Sequence, residues 1–134
     1  MTNEEHPAFS EKSILIADDN ARNAELLEAF LDPLGCDIRI ASDGAEALRL
    51  AREARPDLAL LDIMMPEMSG YQVCEAFRAD DTLRDVPIIV VTALTEPNDV
   101  ERSLEAGADD FLTKPIDREE LLVRVRAHLR GSPR

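Results

Sequence analysis

The chain predicts an α/β fold: five βα units forming a parallel five-stranded sheet of order 2-1-3-4-5 with helices on both faces. Two observations carry this. Apolar runs of strand length alternate five times with amphipathic stretches of helix length. Charged or hydroxyl residues then stand where four of those runs stop: Asp18 and Asp19 after 13–17, Asp62 after 57–61, Thr92 after 86–91, and Lys114 after 110–113. Length agrees, because 134 residues suffice for one domain burying roughly two thirds of its unfolded surface without a disulfide.

The first strand covers 13–17. A helix follows Asp19, with Ala24, Leu27, Leu31 and Leu34 on one face, and ends near Pro33-Leu34-Gly35. A short second strand spans Asp37 to Ala41. The second helix opens at Asp43 with Glu46 three positions on, buries Ala47, Leu48 and Ala51, and stops before Pro56. The third strand ends at Asp62, and Ser69 with Gln72 forms a capping box for a third helix with Val73 and Phe77 inward. The fourth strand is Val86 to Val91. Thr95 or Asn98 is the expected cap of the fourth helix, with Val100 and Leu104 on one face and an end at Ala106-Gly107. After the last strand, Asp117 and Glu120 form another capping box, and Leu121, Leu122, Val125 and Leu129 make the buried stripe of the fifth helix. Residues 1–12 read as a leading tail, 13–130 as the domain, and 131–134 as a closing tail or the start of a linker.

A net charge of −13 and a pI near 4.5 set direct nucleic-acid binding against phosphate repulsion. Cys36 and Cys74 lie in no metal spacing and read as packing thiols. With neither a signal peptide nor a run of membrane-spanning length, a cytoplasmic protein with no membrane contact is expected. His6 falls in the tail and His128 on the exposed side of the last helix, so both are expected to be solvated. That helix is basic, and Arg118, Arg124 and Arg126 offer pairing with Asp109, Asp110 or Glu105 of a second copy.

Ligands of open parallel sheets bind beyond the carboxyl strand ends at the switch in strand order, here between strands one and three. Asp18, Asp19 and Asp62 end those strands. Alone, Asp18-Asp19 would read as a helix cap with a solvated charge; beside Asp62, the pair forms a crowded acidic site. Three close carboxylates repel, and one is expected to have a raised pKa unless a cation neutralises them. Mg²⁺ suits such oxygen ligands. Asp19 and Asp62 are the expected direct ligands, Asp18 acts through water, and the Met64 backbone carbonyl offers another oxygen. Asp62 can serve as a nucleophile on phosphorus, with Lys114 and the Thr92 hydroxyl neutralising the phosphoryl oxygens. Ordinary strand packing for Thr92 and a surface position for Lys114 are the plainer alternatives, although Pro115 implies a tight turn, with a cis peptide among its forms.

Four motifs, Ile16-Ala-Asp-Asp19, Leu60-Leu-Asp-Ile-Met-Met-Pro66 with Gly70, Val91-Thr-Ala93, and Gly107-Ala-Asp-Asp-Phe-Leu-Thr-Lys-Pro115, resemble the receiver domain of two-component response regulators over roughly 13–130. The resemblance implies a flavodoxin-like fold and Asp62 as phosphoacceptor from a sensor histidine kinase or histidine phosphotransfer protein. It also implies Mg²⁺ near Asp18 and Asp19. Thr92 and Lys114 would reorganise around the phosphoryl group and move the face of the fourth helix, fifth strand and fifth helix, through which an activated homodimer is expected. Phe111 occupies the family's switch-aromatic position without a hydroxyl; core packing is its plainer role. Met64 and Leu94 flank the path of attacking water and are expected to slow loss of the phosphoryl group.

The leading expectation is a phosphorylation-activated switch acting as a single-domain regulator or relay, with no enzymatic activity beyond self-phosphorylation and slow self-dephosphorylation. The alternative is the amino-terminal receiver of a longer regulator with an enzymatic output such as cyclic-dinucleotide synthesis. A metal-dependent phosphatase of small substrates lacks its proton donor, since Met64 stands where that acid would be expected.

Overall fold

The computed structural model describes residues 9–93 and 97–131, with residues 97–100 and 131 described by backbone only. The strands β1 (Ser13–Ala17), β2 (Asp37–Ala41), β3 (Leu58–Asp62), β4 (Ile88–Thr92) and β5 (Asp110–Thr113) form one parallel sheet in the order β2-β1-β3-β4-β5. Between and after them run α1 (Ala21–Leu31), α2 (Gly44–Glu53), α3 (Gly70–Ala79), α4 (Pro97–Ala106) and α5 (Arg118–Gly131). Among the described residues no helix is long and apolar enough to cross a membrane.

The period-two pattern of each strand divides the core in two. Leu15, Ala17, Ala59, Leu61, Ile88 and Val90 face α2, α3 and the end of α4, where Phe77 is fully buried. Ile14, Ile16, Leu58, Leu60 and Ile89 face α1 and α5, meeting Leu27, Leu31, Leu121 and Val125. Both faces of β1, β3 and β4 are therefore covered, and their runs are apolar except at the strand ends, where Ser13, Asp62 and Thr92 stand. Edge strand β2 is more open, exposing Asp37, Arg39 and Ile40.

Several boundaries move for local reasons. The cap of α1 is Asn20, whose side chain accepts the N–H groups of Arg22 and Asn23. Helix α1 ends at Leu31 because Asp32–Leu34 tightens into a 3-10 turn closed by Gly35 at φ 75°. Asp57 precedes β3, and its carboxylate accepts the Ser13 N–H at 2.8 Å. Strand β4 starts after Pro87, which has no N–H to place in a ladder, and takes in Thr92. Ser69 and Gln72 form the expected reciprocal box. At α2 the Glu46 carboxylate reaches back to Ser42 rather than to the Asp43 cap, and at α5 the Glu120 carboxylate takes Arg124 instead of closing a box with Asp117.

Other expectations are corrected. Asn98 lies inside α4, so it is not its cap, and Leu104 is 57% exposed; Ser103 and Ala106 carry the buried side of that helix. Phe9, assigned to the leading tail, is buried against the α1/α5 core with Arg130 over its ring at 5.7 Å, and α5 itself runs through Gly131. His128 is not simply solvated: its Nε2 lies 3.1 Å from Asp110 Oδ2. Asp110 and Asp109 are committed within the chain, to Arg124 at 2.6 Å and Arg78 at 2.8 Å, which removes two of the acidic partners proposed for a second copy. Partial burial pushes the Asp110 carboxyl up, but bonds from Arg124, His128 and the Phe111 N–H outweigh it and leave the pKa lowered. His6, Leu94, Thr95, the Val100 side chain and 132–134 lie outside the described residues. Cys36 and Cys74 are free thiols, raised by burial, Cys74 to about 11.

Hydrophobic periodicity gives no sign of Arg78. From α3 its guanidinium donates to the carbonyls of Gly107, Arg84 and Val86 and to the Asp109 carboxylate, each at 2.8 Å. Asp109 in turn accepts the Ile88 N–H. Gly107, at φ 106°, lies so close that a Cβ would meet Arg78 Cγ at 2.6 Å. Arg78→Ala is expected to cost about 2 kcal/mol by orphaning these groups, read as a lower urea midpoint. Arg78→Lys should recover little of it, because an ammonium cannot reproduce the planar fork.

Candidate functional site

Parallel register brings the strand ends together. Ala17 pairs with Leu61, Asp62 with Val91, and Thr92 with Thr113, so Asp18, Asp62, Thr92 and Lys114 emerge along one edge. The loops are tied to it: the Ile63 N–H donates to Val91 O at 3.1 Å and the Lys114 N–H to Thr92 O at 2.8 Å. Lys114-Pro115 is cis.

Asp18, Asp62 and Thr92 are buried, at 2%, 4% and 3% exposure, while Asp19 is exposed. One carboxylate oxygen from each of Asp18, Asp19 and Asp62 lies within 4.8 Å of the others. Lys114 Nζ donates to Asp62 Oδ1 at 3.4 Å, and the Met64 N–H donates to the same oxygen at 3.3 Å. Asp18 Oδ1 accepts the Asn20 N–H at 2.9 Å, whereas Asp18 Oδ2 is buried with no hydrogen-bond partner among the described residues. Burial, with the charge of Asp62 added, raises the Asp18 pKa to about 6 against the opposing Asn20 N–H and Lys114.

An unsatisfied buried carboxylate oxygen beside two further carboxylates is the donor set of a hard divalent cation. Asp18, Asp19 and Asp62 fit such an ion. Met64 is 61% exposed at the mouth of the site. Phe111 is half-buried and packs against the α2/α3 core. Gly70 is a close-packed position beside the site that helix-capping logic alone does not explain. Its N–H donates to Ile63 O, and a Cβ there would meet Asp62 O at 2.5 Å.

The model of the response regulator receiver domain family matches residues 14–126. The chain is 49% identical over 117 residues to the DNA-binding response regulator MtrA of Mycobacterium tuberculosis H37Rv, covering 87% of this chain and 50% of that protein. It is 42% identical to the DNA-binding dual master transcriptional regulator RpaA of Synechocystis, covering 90% and 50%. The chain thus spans about half the length of these curated relatives. Among solved structures, a putative response regulator from Chloroflexus aurantiacus superposes with a TM-score of 0.86 at 34% identity, covering 93% of this chain and 99% of that one. The receiver domain of the Pseudomonas aeruginosa sensor histidine kinase PA1611, which holds a magnesium ion in its active-site cleft, gives 0.81 at 38% identity, covering 90% and 98%. Fold, strand-edge acids and family match therefore agree: the chain belongs to the response regulator receiver domain family.

Proposed function

We propose that Asp62 is the phosphoacceptor of a phosphorylation-controlled switch, loaded from a phosphohistidine on a sensor histidine kinase or histidine phosphotransfer protein. The observation that carries this is the Lys114 to Asp62 contact at the edge shared with Asp18, Asp19 and Thr92. A carboxylate oxygen of Asp62 attacks phosphorus, and the bond from phosphorus to the imidazole nitrogen breaks with its electron pair leaving on the ring. The Lys114 ammonium and the Thr92 hydroxyl take up charge on the phosphoryl oxygens. Mg²⁺, when bound by Asp18, Asp19, Asp62 and the Met64 carbonyl, supplies charge neutralisation. Self-phosphorylation from small donors and slow self-dephosphorylation are the catalytic acts of such a chain.

Phe111 has no hydroxyl, so switching by this residue works through ring placement. A homodimer through α4, β5 and α5 belongs to the same proposal, with the exposed Leu104 and Val123 as its apolar surface. The relatives reported above are named as DNA-binding regulators, which does not favour a cyclic-dinucleotide output. In a longer protein of their kind, DNA contact would fall to the half this chain does not span, because its −13 charge repels phosphates. A cytoplasmic location is part of this reading.

Native mass spectrometry after incubation with acetyl phosphate and Mg²⁺ tests the proposal. One phosphoryl group per chain is expected, with none in Asp62→Asn; equal loading of both would sink it. The same spectra read the dimer. Met64→Asn, at an exposed site, is expected to shorten the aspartyl-phosphate lifetime about tenfold, equivalent to roughly 1.4 kcal/mol in the barrier, by orienting attacking water. An unchanged lifetime in a decay assay would remove that role.

A further inference from the structure

Two openings flank the acidic cluster. One, of about 220 Å³, lies between α1 and the end of β5 and includes Asp18 and Lys114. The other is a groove of about 550 Å³ on the opposite side, where Asp19, Met64, Met65 and Ser69 meet Tyr71 and Arg102. Arg102 is the cation of this second opening. It projects from α4 with its Cζ 4.5 Å from the centroid of the Tyr71 ring, which is itself buried at the start of α3. Among the described residues no carboxylate pairs with Arg102. A guanidinium held over an aromatic face is positioned by the ring while keeping N–H donors that match a planar oxygen acceptor.

We propose that Arg102, held over Tyr71, selects acyl phosphates as small phosphodonors by binding the acyl end of the donor in the Met64 groove. This rests on Asp62 being the phosphoacceptor. Lys114 is already committed to Asp62, so it serves the phosphoryl oxygens, while Arg102 lines the groove that Asp19 and Met64 share with it and is left for the rest of the donor. With acetyl phosphate, an Asp62 oxygen bonds to phosphorus and the bond from phosphorus to the acyl oxygen breaks. Its electron pair leaves on acetate and no proton moves. The departing carboxylate is a planar anion suited to the guanidinium edge. With phosphoramidate, the bond from phosphorus to nitrogen breaks and ammonia leaves. That end of the donor carries an ammonium, which offers Arg102 no acceptor and is repelled by it. The wider field adds to the contrast, because a chain of −13 repels a dianion more than a monoanion unless a local cation intervenes.

The test is the initial rate of Asp62 loading from acetyl phosphate and from phosphoramidate, each at low and high salt, in wild type, Arg102→Gln and Arg102→Lys. Arg102→Gln is expected to lose about three- to tenfold with acetyl phosphate, the size of one partly screened charge. It should also show a changed salt dependence with that donor and an equal or faster rate with phosphoramidate. Arg102→Lys should fall between. Equal losses with both donors, which a structural role would produce, overturn the proposal, as does no loss with either. Wild type inert to both donors would instead overturn the phosphoacceptor reading, and this selection with it.

Discussion

Gly70→Ala is expected to lower the melting temperature by about 10 °C and to slow Asp62 loading at least tenfold. A Cβ at this position would lie 2.5 Å from Asp62 O, 2.9 Å from Ile63 Cα and 3.0 Å from Asp62 C. All three are backbone atoms of the turn at Asp62 and Ile63, so no rotamer change relieves the overlap. Overpacking of this kind costs up to about 3 kcal/mol, which for a domain of this size corresponds to roughly that shift in melting temperature. The turn must move, and Asp62 moves with it. Gly44→Ala provides the milder comparison: its three nearest contacts would be Met68 Cβ, Cγ and Sδ, each at 2.9 Å, so relief needs a rotamer change and a small shift of Met68 but no movement of the Asp62 backbone. It should melt above Gly70→Ala and keep its Asp62 loading rate. Equal melting of Gly70→Ala and wild type in calorimetry would show that the turn is not packed as described.

Asp18→Asn is expected to stabilise the metal-free protein near neutral pH and to abolish most of its response to Mg²⁺. The folded pKa of Asp18 is raised from 3.8 to about 6, by burial first and by the charge of Asp62 second. For an acid raised on folding, ionisation opposes the folded state. The penalty is absent below the unfolded value, grows between about 4 and 6, and is complete above that window. Its ceiling is on the order of 3 kcal/mol. The variant retains an oxygen for the Asn20 N–H and carries no charge to desolvate. Melting curves should therefore separate the two proteins at pH 7.5 and converge at pH 4. Millimolar Mg²⁺ should raise the wild-type melting temperature and narrow the gap, since a cation that binds only the folded state adds stability. A gap that persists unchanged at pH 4 would assign the effect to packing instead of charge.

The two variants also mark where sequence reading stops. The strand-end acids, Thr92 and Lys114 were legible because a parallel sheet with regular crossovers leaves one edge for all of them. The core stripes of α1, α2, α3 and α5 were legible because burial on one helical face imposes a 3.6-residue period. Leu104 obeyed that period and still faces outward, because a short pattern does not specify which face the sheet covers. His128, Asp109 and Asp110 looked like surface charge, yet they are paired across 18, 31 and 14 residues of chain. Phe9 looked like tail because a lone aromatic before the first strand carries no periodicity.

By itself, the sequence determined the five βα units and the residues delivered to the carboxyl ends of their strands. Those properties are local or repeat along the chain, so spacing suffices to read them. Tertiary structure alone decided that Asp18 Oδ2 is orphaned, that Gly70 abuts the Asp62 backbone, that Arg78 ties α3 to the α4–β5 corner, and that Arg102 lies on Tyr71. Each depends on distances between segments far apart in sequence, set by how the helices pack on the sheet, and contact at that range leaves no periodic trace in the chain.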